Sequence, residues 1–144
     1  MIIEKLKKED LVGYKNLIDD CFASSNDISE YINNYNDSSP SYEILVAKES
    51  DKIIGSVTLY KIDLFTFSFH PSLEIFNVGV AKEFRGMKVA KKLFEYVIEY
   101  AKENSYKSIV LNVIDGNYDA INLYESVGFK RTDSIKYKLL LSDL

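Results

Sequence analysis

The chain is poor in the residues that build disulfides and metal centres. It has one cysteine and one histidine among 144 residues. The single Cys21 excludes an internal disulfide, and one Cys with one His cannot make the ligand cluster of a structural zinc site. We therefore expect a function that uses no metal.

Long apolar runs are also missing, since no stretch reaches the length of a membrane-spanning helix. Charged residues at Glu4 and Lys5 occupy the place where a signal peptide would need an apolar segment. These two absences predict a cytoplasmic protein with no membrane partner.

What the chain does contain is enough apolar material for one core. Hydrophobic residues make up 47% of the sequence, and neither a repeat nor a linker interrupts it. A chain of this length and composition is typical of one globular domain, here spanning residues 1–144.

Basic residues concentrate in one place, the segment Ala81–Lys92, which we call the basic segment. It holds five basic residues and one acidic residue, so its net charge is +4, whereas the total is −4 and the remainder is therefore −8. A basic patch at the start of a helix suits a polyanion such as a phosphate group, although it could also be a solvated helix face. Nucleic acid is not expected as a partner, because the acidic remainder would repel it.

Hydrophobic periodicity predicts alternating strands and helices. Strands are predicted at Ile2–Leu6, Tyr42–Lys48, Lys52–Ile62 with an extension over Leu64–Phe69, Leu73–Val80, Ile109–Ile114, Phe129–Thr132 and Ile135–Leu141. Helices are predicted at Glu9–Phe22, Ile28–Tyr35, Val89–Glu103 and across 117–128. The helix between the fourth and fifth strands predicts a parallel, right-handed crossover. The nearly continuous apolar run of the fifth strand predicts that both of its faces are covered.

The last predicted helix places a tyrosine on its inward side. Asn117 suits the N-cap and Gly128 the left-handed position that ends a helix. Apolar residues at three- and four-residue spacing form one buried face: Ala120, Leu123, Tyr124 and Val127. A phenol on that face needs a hydrogen-bond partner or a reactant.

Two motifs together resemble the GCN5-related N-acetyltransferase (GNAT) family. Residues 117–129 match the pattern Asn-x-x-Ala-x-x-x-Tyr-x-x-x-Gly-Phe at every fixed position. Upstream, Arg85-Gly86-Met87-Lys88-Val89-Ala90 is similar to the family's pyrophosphate loop, Gln/Arg-x-x-Gly-x-Gly/Ala, except that Lys88 stands where glycine is usual. The order and spacing of the motifs also match, and the resemblance covers Glu74–Phe129.

The resemblance implies acetyl-CoA as co-substrate and assigns residues to it. Backbone groups of Val78 and Val80 would bind the pantetheine arm, where a bulged fourth strand splays from the fifth. Gly79, inside that strand, fits a bulge or a close backbone approach, or else is a small residue needed for packing in an ordinary core strand. Asn117 would contact the same arm, or act only as a helix cap. The pyrophosphate would be bound by the loop and helix start, which comprise Arg85, Gly86, Met87, Lys88, Val89 and Ala90.

Direct acetyl transfer to an amine needs a base, a polarised carbonyl and an acid for the leaving thiolate. The resemblance makes Tyr124 the general acid, against the alternative of a core aromatic, and gives the Val80 amide the role of polariser. Glu74 is the candidate base, or else forms a salt bridge at the sheet edge; many relatives carry glutamate where this chain has Phe76. His70, whose imidazole would ordinarily titrate near neutrality, is the other candidate base, or else a loop residue.

The sequence thus predicts an α/β protein with the GNAT fold: a mixed, central, twisted sheet of about six or seven strands with helices on both faces. The predicted function is transfer of acetyl from acetyl-CoA to a primary amine on a small molecule, a polyamine or a peptide. We expect the acceptor pocket to be built from the first helices, the Asn33–Ser41 loop and the last hairpin. The acidic remainder and several tyrosines suit a cationic amine, among them Tyr31, Tyr35, Tyr42, Tyr60 and Tyr137. The alternative is a catalytically silent CoA-binding sensor or partner module of the same fold. The resemblance is also compatible with a homodimer.

Overall fold

The computed structural model describes residues 1–63, 65–66 and 71–144, and the statements below refer to these residues. The strands are β1 (Ile2–Lys5), β2 (Tyr42–Glu49), β3 (Lys52–Ile62), β4 (Ser72–Val80) and β5 (Ser108–Leu111). The helices are α1 (Leu11–Phe22), α2 (Ile28–Asn34), α3 (Val89–Glu103) and α4 (Tyr118–Ser126), with short 3₁₀ turns at Lys8–Asp10, Lys82–Phe84 and Leu141–Asp143.

The five described strands form one mixed sheet in sequence order, β1-β2-β3-β4-β5. Neighbours from β1 to β4 run antiparallel, and β5 runs parallel to β4 after the α3 crossover, as predicted. The β2–β3 turn has Ser50 and Asp51 at φ of 48° and 67°. Two consecutive left-handed residues give the tight turn whose twist matches that of paired strands.

Two glycines show that helices cover both faces of the sheet. A Cβ placed on Gly55 would lie 2.9 Å from Val89 and 3.2 Å from Leu93, both on α3. A Cβ on Gly79 would instead lie 3.1 Å from the Sγ of Cys21 on α1. Because Gly79 is paired with Ser56, the residue next to Gly55, the two glycines point to opposite faces. We call these the α3 face and the α1 face.

The core lies where α3 packs on the centre of the sheet. Leu93, Phe94 and Val97 of α3 are each at most 1% exposed, as are Leu59 and Leu73 of the strands. The apolar stripe predicted from the 3.6-residue period is therefore the buried side of α3. None of the helices in the described part of the chain has the length and apolarity to cross a membrane.

The structure corrects the predicted bounds and burial of the fifth strand. It ends at Leu111 rather than Ile114, and its faces are not both covered, because Val110 is 46% exposed and Ile114 is 82% exposed. The apolar run indicated burial, but residues 112–114 have left the sheet and cannot be covered by the helices that pack on it.

The two last predicted strands, Phe129–Thr132 and Ile135–Leu141, are wrong for the structure described here. Residues 129–140 are extended or irregular without ladder pairing, so the described sheet has five strands rather than six or seven. Alternation places apolar side chains on one side of the segment, but Ile135 and Tyr137 are 79% and 90% exposed. Strand propensity alone does not supply a partner, and pairing is what defines a strand. Of the predicted Leu64–Phe69 extension, residues 64 and 67–69 lie outside the described residues.

Candidate active site

The candidate site begins where β4 and β5 part. Their parallel ladder runs from Ser72–Ser108 to Ile75–Leu111 and ends there. From Phe76 to Val80, β4 continues to pair with β3 while β5 has ended. The two strands therefore open into a wedge whose β4 side carries backbone groups without a β5 partner in the described chain.

A bulge in β4 lies at the mouth of this wedge. Thr58 pairs with Phe76 and Ser56 pairs with Gly79, so two residues of β4, Asn77 and Val78, lie opposite Val57 alone. Asn77 takes a φ of 54°, a left-handed conformation that asparagine tolerates better than most residues. Such a bulge turns the local strand edge and re-aims the backbone groups of Val78 beside the opening.

Gly79 follows the bulge rather than forming it. The packing of α1 requires a glycine at this position, because an added Cβ would lie 3.1 Å from Cys21 Sγ and 3.3 Å from Phe22 Cε2. Because these are side-chain contacts, the structure supports the alternative that Gly79 is a small residue needed for packing, while the bulge lies at the two residues before it. α1 consequently sits tightly against the end of β4 that carries Val78 and Val80.

The loop after β4 turns sharply into α3. Gly86 has a φ of 81°, and Lys88, the N-cap residue of α3, has φ and ψ of 63° and 22°. Lys88 thus adopts the left-handed conformation that glycine would take at this position at lower cost. The next residues, Val89 and Ala90, begin the helix, whose first N–H groups have no partner within it and favour an anion.

The basic segment keeps its positive charge in the folded structure. Its one acid, Glu83, forms an ion pair of 2.6 Å with Lys52, and that hydrogen bond lowers the pKa of the Glu83 carboxyl. Arg85 and Lys88 are exposed. The Arg85 Nε donates to the Val80 carbonyl oxygen over 3.1 Å, which ties the loop to the end of the bulged strand.

On α4, the predicted cap and terminator are both confirmed. Asn117 Oδ1 accepts a hydrogen bond from the Ala120 N–H at 3.4 Å, and Gly128 has a φ of 110°. The Phe129 N–H donates to the Tyr124 carbonyl at 3.0 Å and closes the helix end. The predicted buried face of α4 is only partly buried, since its residues are of intermediate exposure.

Tyr124 is held by aromatic contacts. Its ring lies 5.3 Å from Phe94 of α3 and 6.2 Å from Phe129, both in edge-to-face geometry. Burial raises the pKa of the Tyr124 phenol, so it is protonated at neutral pH. The ring lines a cavity of about 290 Å³ with Leu111 and Asn112, and in the described chain its hydroxyl has no hydrogen-bond partner. A protonated phenol without a partner is free to donate.

Glu74 lies on the opposite side of the sheet from Tyr124. It is paired with Tyr60, whose register places both on the α1 face, whereas Tyr124 packs on α3. Glu74 Oε1 accepts a hydrogen bond of 3.4 Å from Asn112. The predicted alternative, a salt bridge, is not found for Glu74 among the described residues. The neighbouring Phe76 packs on Tyr60 with ring centroids 5.2 Å apart.

The structure therefore joins some predicted residues and separates others. Val80 and Arg85 are in direct contact, and Lys88 follows in the same loop. Tyr124 connects to that unit through Phe94 of α3, and Asn117 is at the start of the same helix as Tyr124. His70, the second candidate base, lies outside the described residues. Sequence reasoning missed Asn77, although an asparagine two residues before a strand glycine is a signal for a left-handed bulge residue.

No group of His, Cys, Asp or Glu in residues 1–63, 65–66 and 71–144 is arranged to hold a metal ion.

Comparison with known proteins gives the same picture at the level of sequence and fold. Residues 11–129 match the model of the acetyltransferase (GNAT) family. Human N-acetyltransferase 8B is 33% identical over 87 residues, which are 60% of this chain and 38% of that protein. The match thus spans well under half of that relative's length.

Solved structures superpose over nearly the whole chain. Ribosomal-protein-alanine N-acetyltransferase from Brucella melitensis gives a TM-score of 0.83 at 20% identity, covering 98% of this chain and 100% of that one. An aminoglycoside acetyltransferase from a soil metagenomic sample, in complex with sisomicin, gives 0.78 at 19% identity, covering 96% of each chain. Identities this low establish a shared fold, and the two proteins act on different acceptors by their names.

Proposed function

Because this chain belongs to the acetyltransferase (GNAT) family, we propose that it transfers acetyl from acetyl-CoA directly to a primary amine. The observation that carries the proposal is the wedge between β4 and β5, with a bulge on one side and a positively charged helix start beside it. An acyl thioester with a pyrophosphate tail needs both an opening in a sheet for its arm and an anion site next to it.

Different residues would bind the different chemical groups of acetyl-CoA. Arg85, Gly86, Met87, Lys88, Val89 and Ala90 would receive the pyrophosphate through backbone N–H groups and two cations. The Val78 and Val80 backbones would pair with the pantetheine amides, as a strand pairs with its neighbour. Asn117, whose side chain already caps α4, would contact the arm through its remaining amide donors.

Acid and base would act from opposite faces of the sheet. Glu74, on the α1 face, would accept the amine proton through water, and Tyr124, on the α3 side, would protonate the departing sulfur. The raised pKa of Tyr124 supports the acid role, since a phenol that stays protonated can donate. The amine nitrogen bonds to the carbonyl carbon as the carbon–sulfur bond breaks, with the Val80 N–H polarising the carbonyl.

The test is thiol release from acetyl-CoA with a panel of primary amines, beside a thermal shift without amine. A ligand that binds only the folded state stabilises it by about 2.7 kcal/mol at a hundredfold excess over Kd. We expect a shift with acetyl-CoA and turnover with at least one amine. A shift without turnover across the panel would favour the silent CoA-binding module. That alternative is motivated by Lys88 at the usual glycine position and by the choice of base, since Phe76 stands where many relatives have glutamate. No shift at millimolar acetyl-CoA would overturn both. A cytoplasmic location and a homodimer stay predictions.

A further inference from the structure

A cavity of about 400 Å³ opens on the α1 face, between α1, α2 and strands β2 and β3. Five tyrosines line it: Tyr14, Tyr31, Tyr35, Tyr42 and Tyr60. Ring centroids lie 6.4 Å apart for Tyr35–Tyr42, 6.1 Å for Tyr42–Tyr60 and 6.0 Å for Tyr14–Tyr31. The wall is therefore a nearly continuous aromatic surface. We call it the tyrosine cavity.

The phenol groups of this wall are largely engaged by the protein. The Tyr35 hydroxyl donates to the Leu6 carbonyl oxygen, and the Tyr42 hydroxyl accepts from the Asn36 N–H at 2.8 Å. Burial raises the pKa of Tyr14 to about 12, with hydrogen bonding to Thr58 opposing the rise. The Tyr14 phenol is thus uncharged at neutral pH, and the five rings offer a ligand mainly aromatic surface.

The charged side chain that lines the tyrosine cavity is negative. Among the residues that line it, Glu30 is the single acid, and Lys and Arg are absent. Glu30 is exposed on α2, and in the described chain it has no ion-pair partner. Aromatic faces and a carboxylate both attract a cation, while an anionic ligand would find no partner here.

The tyrosine cavity also reaches the candidate active site. Asn77, the left-handed residue of the β4 bulge, lines it together with the buried Thr58. The cavity therefore extends from the strand segment assigned to the thioester to Glu30 on α2. A ligand filling the cavity would touch both a reacting end and a charged end.

We propose that the tyrosine cavity selects a linear aliphatic diamine as the acetyl acceptor. One amine lies at Asn77 and is acetylated, the methylenes pack on the tyrosine rings, and the second amine stays an ammonium beside Glu30. The ammonium at the reacting end loses one proton to solvent and a second during attack, while the departing sulfur gains one proton. This inference rests on the proposed function.

The experiment compares matched amines on the same protein. Steady-state turnover with acetyl-CoA is measured for putrescine and cadaverine against butylamine and pentylamine, and binding of the same amines is followed by calorimetry with saturating CoA. We expect the diamines to have the lower KM and Kd. Glu30→Gln should raise KM for cadaverine about two- to fivefold, the range of a solvent-exposed ion pair, and leave pentylamine unchanged. Glu103→Gln, which removes an exposed carboxylate from α3, is the matched control and should change neither.

The aromatic wall is tested separately through Tyr60, which lies beside Tyr42 and Phe76. Tyr60→Leu should weaken cadaverine binding about two- to fivefold by removing a ring that attracts cations. Tyr60→Phe keeps the ring and should restore binding, which a purely structural role of the hydroxyl would not allow.

Each result decides between the two proposals. Equal KM for diamines and monoamines, or an equal effect of Glu30→Gln on both, overturns the diamine inference and leaves acetyl transfer intact. Turnover confined to lysine-containing peptides overturns it in favour of a peptide acceptor. Diamine binding that responds to Glu30→Gln, without any turnover, retains the tyrosine cavity as a diamine site and overturns the proposed enzyme. Absence of both binding and turnover with the diamines overturns the inference outright.

Discussion

Lys88 combines a strained backbone with a useful charge. A left-handed conformation costs an L-residue with a Cβ about 1–2 kcal/mol, and Lys88 takes it at the N-cap of α3. Its exposed side chain belongs to the residue that precedes the first helical N–H groups, where a phosphate is expected. The departure from the glycine of related loops therefore exchanges stability for positive charge.

Lys88→Gly should separate these two effects. We expect the free energy of unfolding to rise by about 0.5–1 kcal/mol, because glycine relieves the left-handed strain. Affinity for CoA should fall about two- to fivefold, and its dependence on salt should weaken, because one exposed cation is lost. Urea unfolding and calorimetry at two ionic strengths measure both changes.

Ser105→Gly is the control for Lys88→Gly, since Ser105 has a φ of 62° just after α3. It should stabilise the protein in the same way without altering CoA binding. A Lys88→Gly protein that binds CoA as tightly as the original, with the same salt dependence, would show that the ammonium does not face the phosphates.

Tyr124→Phe tests the general acid. The substitution keeps the ring contacts with Phe94 and Phe129 and removes only the hydroxyl, which has no hydrogen-bond partner in the described chain. We expect kcat to fall at least about tenfold, with little change in stability or acetyl-CoA affinity. Tyr118→Phe, on the first residue of the same helix and 70% exposed, should leave kcat unchanged. Unchanged turnover with a loss of about 1 kcal/mol in stability would instead assign Tyr124 to the core.

At the scale of elements, the position of the bulged strand depends on how closely α1 approaches it. Gly79→Ala would place a Cβ 3.1 Å from Cys21 Sγ and 3.3 Å from Cys21 Cβ. We expect a loss of about 1–3 kcal/mol in the free energy of unfolding, as in other overpacked sites. Acetyl-CoA affinity should also fall, because α1 must move away from the bulge. Urea denaturation and calorimetry report the two losses.

Gly13→Ala, on α1, should instead increase the free energy of unfolding. Its added Cβ would meet Ile53 at 3.5 Å, an ordinary contact, and alanine favours a helix over glycine by about 0.5–1 kcal/mol. It should therefore stabilise α1 without disturbing β4. If Gly79→Ala were as stable as the original, the close packing of α1 on β4 would be contradicted.

Elements with strong local signals were predictable from the sequence. α3 has the predicted bounds because its apolar stripe, its preceding loop and its amphipathic period all agree. The β2–β3 hairpin also follows from local pattern. The end of β5 and the pairing of Ile135–Leu141 depend instead on a neighbour that no local pattern specifies.

The candidate site likewise has parts that local sequence predicts and parts that depend on the fold. Motif spacing located Tyr124, Asn117 and the basic loop, which lie on contiguous stretches of chain. For the acceptor pocket, the sequence indicated the first helices and several tyrosines, four of which line the tyrosine cavity. It did not indicate Tyr14 or the shared wall, because these residues come from α1, α2, β2 and β3 and only the fold brings them together. Asn77 had a local signal in the glycine two residues after it, but the bulge itself is a mismatch that only the pairing of β3 with β4 defines.

The whole molecule should lose stability in alkali through its buried tyrosine. The unfolded pKa of tyrosine is about 10, and burial raises that of folded Tyr14 to about 12. Between these values the unfolded chain loses a proton that the folded protein keeps, so stability falls as pH rises, by up to about 2–3 kcal/mol. Below about pH 10 the contribution is fully present.

Urea unfolding across this alkaline range measures the slope. Tyr14→Phe should reduce it to the part contributed by other buried tyrosines such as Tyr35, whose pKa burial also raises to about 12, whereas Tyr137→Phe, at a side chain that is 90% exposed, should not change it. An unchanged slope in Tyr14→Phe would mean that other groups cause the alkaline loss. The slope is the relevant readout, because Tyr14→Phe also removes a hydrogen bond with Thr58 at every pH.

The sequential order of the strands has a consequence for the order in which the protein folds during synthesis. Strands β2, β3 and β4 pair in chain order through short connections, whereas β1 reaches β2 only after α1 and α2, and β5 reaches β4 only after α3. The β2–β4 part of the sheet therefore closes its loops at the lowest entropic cost, before α3 and β5 are needed. During synthesis on a ribosome, strands β2 and β3, which line the tyrosine cavity, would then fold while the loop before α3 is still being synthesised. We expect pulse-labelled hydrogen exchange during refolding to protect β2 and β3 first and α4 last. Protection of α4 together with β2 would contradict this order. A nascent chain that follows it would acquire its acceptor wall before it could bind a donor.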